Sequence, residues 1–363
     1  MENWVPGLPP LPWQVAPEDP PDTEIVAEFE GEWEPKRECV FYGSPDPGGI
    51  YERPTPRNST LRLRRFHDVL LAPHHVLLSY RDGRVLPVTF ALDHSEGWLT
   101  PGARDPAAPQ QYNPWPCRAE PARIDEPVFL AEPNWNEYGH VLLEVVPKLP
   151  MLEKLPAHVK VVTSGWSFPP MLEALGGSEN RLASFHGPLF CRTLYVPDPP
   201  VDIRGNFHTM ARDAYAKVAK SVADAAQGRA KRIFLSRSRI ATRRLENEAQ
   251  VEKLFRDLGF EIVSPELLAV ADQINLVASA AMIAGCAGSA MHSLVFAQSD
   301  TRVLILSQDK WHSSIDAYVA KADRQYGYVI GRGIPQPGRQ PREWSWSVDI
   351  DLVEHAIHEH FGL

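Results

Sequence analysis

Residues 231–306 alternate short apolar runs with segments of helical periodicity, and no other feature of the sequence restricts the fold as much. The predicted strands are the basic segment Lys231–Arg237 and the apolar runs Phe260–Val263, Ala281–Gly285 and Arg302–Leu306. Between the first two of these strands, apolar residues recur at the i, i+3, i+4, i+7 spacing of an amphipathic helix, at Val251, Leu254, Phe255 and Leu258. Because strands that alternate with helices form parallel sheets, this region is predicted to be a Rossmann-like α/β domain.

A turn of small residues follows the third predicted strand. It runs Cys286-Ala287-Gly288-Ser289-Ala290 and opens a further helical segment, with His292 one turn inside it. A helix start after a glycine turn presents backbone N–H groups that can bind a phosphate, and small side chains let a ligand approach the backbone. Tight packing of a helix on a sheet requires the same small residues, so the turn alone is a weak indication of a phosphate site.

A basic loop follows the first predicted strand. Its arginines are Arg237, Arg239, Arg243 and Arg244. Residues just past the carboxyl end of a strand face the ligand crevice of an open α/β sheet, and arginines there can chelate a diphosphate. Arg237 is the best candidate because it lies nearest the strand end. The alternative is a solvated loop whose charge is balanced by Glu246 and Glu248.

The composition limits the class of partner. A net charge of −9 over 363 residues argues against general binding to nucleic acid or to an anionic membrane, and the length suits two domains. The four cysteines lie apart, without a Cys-x-x-Cys pair, which favours reduced thiols over a zinc site. Neither a signal peptide nor an apolar window of membrane-spanning length is evident. We therefore expect a cytoplasmic protein, with at most peripheral membrane association.

The first 200 residues are organised differently. Residues 1–60 are rich in proline, which indicates an extended arm, and residues 61–130 contain short apolar runs typical of β-structure. Residues 134–200 alternate strand and helix again. A helix is predicted over Tyr138–Leu155, with a kink or break at Pro147.

The start of that helix carries an unusual cluster of polar and aromatic residues. It runs Asn134-Trp135-Asn136-Glu137-Tyr138-Gly139-His140, and Glu144 follows. His140 and Glu144, four residues apart, share a helix face. A carboxylate beside an imidazole is a suitable general base, because each group influences the protonation of the other. A helix cap with a surface ion pair explains the spacing equally well.

Taken in order, these motifs resemble those of glycosyltransferase family 61, which includes bacterial capsule and exopolysaccharide transferases and related plant and animal enzymes. The similar residues are Tyr138-Gly139-His140, Glu144, Ser236-Arg237, Arg244, Asn247-Glu248, Pro265-Glu266, Gln273, Gly285, Gly288 and Ser289. The resemblance covers roughly residues 130–306. It is incomplete in the last turn, where Ala287 and Ser293 stand in place of a histidine and an asparagine that many members carry.

The resemblance implies a GT-B-like fold: two Rossmann-like domains with the active site in the cleft, a β-rich N-terminal extension and a C-terminal helix that crosses back. The expected acceptor-side domain is residues 1–205 together with helix 342–363, and the expected donor-side domain is residues 206–335. The implied reaction is an inverting transfer from a nucleotide sugar, with UDP as the expected nucleotide, to a glycan or lipid-linked saccharide in surface polysaccharide synthesis. The resemblance implies that no metal or other cofactor is required. No nucleic-acid partner is expected, and the possibility of a homodimer is left open.

The resemblance also implies roles for individual residues. The expected donor-binding residues are Ser236, Arg237, Arg244, Asn247, Glu248, Glu266, Gly288, Ser289 and His292. On the acceptor side we expect Asn136, Tyr138 and Gly139, with either His140 or Glu144 as the base. Two alternatives stay open, a catalytically inactive nucleotide-sugar-binding protein and a pyruvyl-type transferase on the same scaffold.

Overall fold

The structure, a computed structural model, describes most of the chain in two compact units. The described residues are 23–43, 58–72, 76–80, 85–86, 121–133, 137–163, 179–185, 189–203, 205–222, 231–311, 313, 315–319 and 326–363. Unit 1 takes its residues from Met1–Gly31 and Asn58–Pro200, and unit 2 takes its residues from Glu32–Arg57 and Val201–Leu363. This division differs from the predicted one in three segments, because the described residues 32–43, the described residues of 201–205 and the C-terminal helix belong to unit 2.

The described strands are numbered here in chain order. They are β1 (Glu24–Phe29), β2 (Trp33–Glu34), β3 (Cys39–Gly43), β4 (Leu61–Ala72), β5 (Val76–Ser79), β6 (Val85–Leu86), β7 (Ala122–Ile124), β8 (Val128–Leu130), β9 (Lys160–Thr163), β10 (Leu182–Ser184), β11 (Leu189–Pro197), β12 (Val201–Asp202), β13 (Asn206–His208), β14 (Lys231–Leu235), β15 (Glu261–Val263), β16 (Ala280–Cys286), β17 (Arg302–Gln308), β18 (Tyr326–Ile334) and β19 (Ser345–Ser347).

The described α-helices are α1 (Tyr138–His140), α2 (Met210–Val222), α3 (Glu248–Asp257), α4 (Val270–Ser279), α5 (Asp316–Val319) and α6 (Ile350–Phe361). Val141–Val145 is a π-helical turn, and the 3-10 segments are Val146–Lys154, Glu179–Arg181, Pro265–Leu267, Met291–Phe296 and Pro341–Glu343. None of the helices within the described ranges is long and apolar enough to cross a membrane.

Unit 1 is built on one mixed sheet in the order β10-β9-β8-β11-β4-β5-β6, with β1 also paired to β4 and β7 to β11. The strands β10, β9, β8 and β11 run parallel, whereas β4, β5 and β6 form antiparallel pairs. The antiparallel part is the predicted β-rich region, and the parallel part is the predicted α/β region. Fully buried aliphatic side chains such as Leu70, Leu77 and Val162 form its core.

The helical segment after β8 changes its hydrogen-bonding pattern twice. It begins as α1, continues as the π-helical turn Val141–Val145 and ends as the 3-10 segment Val146–Lys154. Pro147 lies at the start of the 3-10 segment and Pro150 inside it. Because proline has no N–H to donate, an α-helix cannot continue through these positions, and the predicted break at Pro147 is confirmed. A π-helical turn of this kind often marks a functional site.

Unit 2 contains a parallel sheet in the order β15-β14-β16-β17-β18, flanked by β3, which is parallel to β18, and by the antiparallel β19. If these five strands are numbered 1 to 5 along the chain, their order across the sheet is 2-1-3-4-5, as in a doubly wound sheet. The topological switch point of such a sheet lies between its strands 1 and 3, which here are β14 and β16. The four strands predicted within residues 231–306 are thus all present. A small separate sheet joins β12, β13 and β2.

The C-terminal helix α6 is part of the core of unit 2. It buries Val353, Ala356, Ile357 and Phe361, and the Phe361 ring lies 5.5 Å from that of Phe260. Asp349 caps its start by accepting from the Asp351 N–H at 3.0 Å, and Gly362 ends it with a φ of +68°. The apolar face of α6 therefore belongs to the unit 2 sheet, which is the physical reason for its assignment to that unit.

Candidate functional site

The switch point of the unit 2 sheet brings together the two turns that the sequence singled out. Leu235, the last residue of β14, pairs with Gly285 in β16, so both turns leave the sheet at the same edge. A Cβ on Gly285 would lie 2.9 Å from the Met291 sulfur and 3.0 Å from the Leu235 Cβ. Only glycine fits there, because the strands and the following segment pack too closely for a side chain.

Two arginine side chains converge on Gly288. A Cβ at this position would overlap Nη1 of Arg237 and would lie 3.7 Å from Nη2 of Arg243. The φ of Gly288 is +145°, a backbone conformation that residues with side chains rarely adopt. The glycine therefore leaves room for two guanidinium groups beside an accessible stretch of backbone, which suits an anionic ligand.

The buried Glu248 and the half-buried Glu252 hold the loop that carries Arg237. Its backbone N–H donates to Glu248 Oε1 at 2.5 Å, and its Nη2 donates to the Thr242 carbonyl at 3.1 Å. Ser236 Oγ donates to Glu252 Oε1 at 2.6 Å and to Glu248 Oε1 at 3.3 Å. Burial raises the pKa of Glu248, and the charge of Glu252 adds to this, while bonds from Arg237 and Ser236 oppose it. The predicted donor residues Ser236 and Glu248 thus shape the loop.

Aromatic side chains contact Arg243, which was not among the predicted donor-binding residues. Its φ is +53°, in the left-handed region, and its guanidinium carbon lies 4.1 Å from the centre of the Trp311 ring. Its carbonyl accepts from Trp346 Nε1 at 3.1 Å. Arg244, the residue selected instead, has a side chain that is 63% exposed and lies 4.0 Å from Glu246. No local sequence signal distinguishes the two arginines.

A small recess adjoins Arg243. Its lining residues are Arg243, Cys286, Ala287, Ser307, Gln308, Trp311 and Trp346. Burial raises the pKa of the Cys286 thiol, so the group stays protonated and unreactive.

The predicted helical segment after Gly288 is a short 3-10 helix, Met291–Phe296. The N–H groups of Met291, His292 and Ser293 donate to the carbonyls of Gly288, Ser289 and Ala290 at 2.9, 3.2 and 3.2 Å. These N–H groups are consequently engaged within the turn. These bonds form the 3-10 helix itself, and the positive charge beside Gly288 comes from the side chains of Arg237 and Arg243.

His292 faces a buried carboxylate on α5. Its Nε2 lies 3.5 Å from Oδ1 of Asp316, which is fully buried. Burial raises the pKa of Asp316 well above its usual range, while a hydrogen bond from Ser313 and the charge of Arg243 oppose this. Asp316 thus links His292, which it faces, to Arg243, whose charge acts on it.

The remaining donor-side candidates differ in their surroundings. The Asn247 amide donates to the Val348 carbonyl at 2.7 Å and accepts from the Val348 N–H at 3.2 Å. Glu266 is exposed on the 3-10 segment that follows β15. Ser289 is half-buried in the turn. The structure thus gives Asn247 a partner within the fold and leaves Glu266 accessible at a strand end.

Unit 1 contains the second set of predicted residues. His140 Nδ1 lies 3.1 Å from Glu144 Oε1, and the two side chains are 20% and 9% exposed. Burial lowers the pKa of His140, but the hydrogen bond and charge of Glu144, together with the charge of Glu137, outweigh it, so the pKa is raised overall. The pair is a dyad that joins a half-buried imidazole to a buried carboxylate, so it is not an ion pair at the open surface.

Around this dyad lie Tyr138, which is half-buried, and Gly139, which is buried. The predicted Asn136 lies outside the described residues. Two charged residues that the sequence did not select are also buried, Lys148 in the 3-10 segment and Glu132 after β8. Burial lowers the pKa of Lys148, and the charges of Glu144 and Glu132 oppose this. Within the described residues, no group of three His, Cys, Asp or Glu side chains could hold a metal ion.

Comparison with known proteins identifies the domain that carries both sets of residues. No curated protein matches the chain. The family model Glycosyltransferase 61 matches residues 138–304, a range that includes the His140–Glu144 dyad and the Arg237, Arg243 and Gly288 group. The chain therefore carries a glycosyltransferase family 61 domain, and it is a glycosyltransferase.

Proposed function

We propose that this glycosyltransferase moves a sugar, with inversion, from a nucleotide-sugar donor to a hydroxyl of a glycan or lipid-linked saccharide. We further propose a UDP-linked donor, a GT-B-like arrangement and a cytoplasmic role in surface polysaccharide synthesis. The observation that carries the proposal is the convergence of Arg237 and Arg243 on Gly288 at the switch point of a doubly wound sheet. Ligands of such sheets bind at this point, and two guanidinium groups there select an anion.

In the proposed reaction, the arginines bind the donor diphosphate. Each guanidinium can make paired, charge-assisted hydrogen bonds to phosphate oxygens, and the missing side chain of Gly288 lets those oxygens approach the backbone. As the bond between the anomeric carbon and the phosphate oxygen breaks, its electron pair passes to that oxygen. Arg237 and Arg243 stabilise the charge that develops on the leaving group, so that we propose a transfer without a metal ion.

The dyad of unit 1 activates the acceptor. His140 is the proposed base because its side chain is the more exposed of the two, and Glu144 Oε1 already faces its Nδ1 at 3.1 Å. The acceptor hydroxyl gives its proton to the other ring nitrogen, Nε2, while its oxygen forms the new bond to the anomeric carbon. Glu144 stabilises the imidazolium that results. A single displacement of this kind inverts the anomeric centre.

Calorimetric titration with UDP and a panel of nucleotide sugars tests the donor site. We expect Arg237→Ala and Arg243→Ala each to weaken binding of the best ligand by about tenfold or more, since each removes a charged hydrogen bond worth about 1.5–3 kcal/mol. Arg256→Ala, which removes an exposed arginine on α3, is the matched control and should bind normally. Unchanged affinity in both site variants would refute the proposed donor site.

A further inference from the structure

Two tryptophans of unit 2 contact different parts of Arg243. The guanidinium carbon of Arg243 lies 4.1 Å from the centre of the Trp311 ring, and the Arg243 carbonyl accepts a hydrogen bond from Trp346 Nε1 at 3.1 Å. One ring therefore contacts the charged end of the side chain, while the other fixes the backbone. Both tryptophans lie beyond residue 304, where the match to the family model ends.

Trp346 is itself held firmly in the fold. It is 4% exposed, and a Cβ on Gly331 would lie only 2.8 Å from Cε3 of its ring, so the glycine makes room for the indole. The Trp346 N–H donates to the Arg244 carbonyl at 2.9 Å, and its carbonyl accepts from the Glu246 N–H at 2.8 Å. Three hydrogen bonds of one residue thus support the basic loop where Arg243 takes a φ of +53°, which side-chain-bearing residues rarely adopt.

Trp311 is also anchored, at the turn that follows β17. The fully buried Ser307 donates through its Oγ to the Trp311 carbonyl at 2.9 Å. The Trp311 N–H donates to the Gln308 carbonyl at 3.4 Å. A ring that stacks on a guanidinium engages its flat face, whereas phosphate oxygens bind at its edge, where the N–H groups lie. Arg243 can therefore rest on Trp311 and bind an anion at the same time.

The arginine pair needs such support because its two positive charges repel each other. The side chains of Arg237 and Arg243 both reach the position that a Cβ of Gly288 would occupy, and like charges at short range destabilise the arrangement before an anion is bound. Arg237 donates to the Thr242 carbonyl at 3.1 Å. The electron-rich face of Trp311 gives Arg243 a comparable contact. Holding both groups in place beforehand reduces the ordering cost of binding.

We propose that Trp311 and Trp346 are positioning residues that hold the Arg243 guanidinium beside Gly288 before the donor binds. The inference rests on the proposed function, since the anion bound there is taken to be the donor diphosphate. It extends the site to two segments outside the family match, the turn after β17 and the strand β19.

NMR of the full chain with labelled arginine tests the contact without a ligand. The ring current of Trp311 shifts the guanidinium signal of Arg243, which Arg243→Lys identifies. Trp311→Leu should abolish this shift, and Trp346→Phe, which removes only the indole N–H, should reduce it. Trp344→Phe is the matched control, because Trp344 Nε1 also donates to an arginine carbonyl, that of Arg339 at 3.1 Å. An Arg243 signal that ignores both site variants would overturn the inference.

A double-mutant cycle tests whether the contact matters for binding. Trp311→Leu should weaken the affinity for UDP, measured by calorimetry, by about two- to tenfold, and Trp311→Phe, which keeps an aromatic face, should restore most of it. In an Arg243→Ala background, Trp311→Leu should cause no further loss. UDP carries no sugar, so the loss does not come from a sugar stacked on the ring. Equal losses in the two backgrounds would contradict the inference, because the ring would then act without Arg243.

The two experiments separate this inference from the function on which it rests. Thermal unfolding shows which variants are folded, and the same cycle with Trp346→Phe carries the test if Trp311→Leu does not fold. If Arg243→Ala binds UDP normally while the NMR shift depends on Trp311, the tryptophans do position Arg243 and the proposed donor site is wrong. If Arg243→Ala weakens binding while the tryptophan variants bind UDP normally, the donor site stands and the positioning role is refuted.

Discussion

The charged groups of the two units are arranged in opposite ways. In unit 2, Arg237 and Arg243 lie in turns at a sheet edge, and both are only partly buried around Gly288. In unit 1, Glu144 and Lys148 are almost fully buried and face charges of opposite sign. An anion site needs accessible cationic side chains whose charge is not already neutralised by acidic neighbours. A proton acceptor needs a sheltered environment whose charges nearly cancel, so that its proton affinity can be adjusted.

The largest expected effect comes from removing the proposed base, which should affect catalysis but not nucleotide binding. His140→Ala should lower kcat by about 10²–10⁴-fold, the usual contribution of a general base, and should leave nucleotide affinity unchanged. Measured transfer rates and calorimetric titration of the same preparation check both parts. His158→Ala, at an exposed position of unit 1, is the control. A loss of nucleotide affinity equal to the loss of rate would remove the distinction between the units.

A smaller effect is expected at the arginine pair. Gly288→Ala should weaken nucleotide binding by about 10–100-fold, because the new Cβ occupies the place of the Arg237 guanidinium and the backbone is strained. Gly338→Ala is a matched control, since Gly338 also has a positive φ of +75° but no atom within 4 Å of its Cβ position. If both variants bind the nucleotide equally well, Gly288 is not part of the anion site.

The pH dependence tests the dyad more finely. Glu144 raises the pKa of His140, so Glu144→Gln should lower that pKa and shift the acid limb of kcat/KM to lower pH, by about one unit. The raised pKa also stabilises the fold below the pKa of the unfolded chain, and this stabilisation is lost as the pH rises through the folded value. Glu144→Gln should therefore reduce stability more at pH 5 than at pH 8, as measured by urea unfolding. A shift of the acid limb to higher pH would contradict the assignment.

Local sequence patterns predicted those features that depend on neighbouring residues. Strand and helix alternation over residues 231–306 and the position of Arg237 at a strand end follow from periodicity, and the structure contains both. Contacts between distant segments leave no such signal. The parallel pairing of β3 with β18 joins residues nearly 300 positions apart. That Arg243 rather than Arg244 lies at Gly288 depends on the positive φ of Arg243.

Asn247 gives the smallest expected effect on function and the sharpest contrast with the arginines beside it. Its side chain exchanges two hydrogen bonds with the backbone of Val348, 101 residues away, and so joins the start of α3 to the chain between β19 and α6. Asn247→Ala should lower the free energy of unfolding by about 1–3 kcal/mol, because it leaves those backbone groups without this partner. Nucleotide affinity, measured by calorimetry well below the unfolding temperature, should change by less than about twofold. Normal stability with a tenfold loss of affinity would instead make Asn247 a donor-binding residue, as the sequence motif predicts. It would also show that the anion site extends beyond the two guanidinium groups at Gly288.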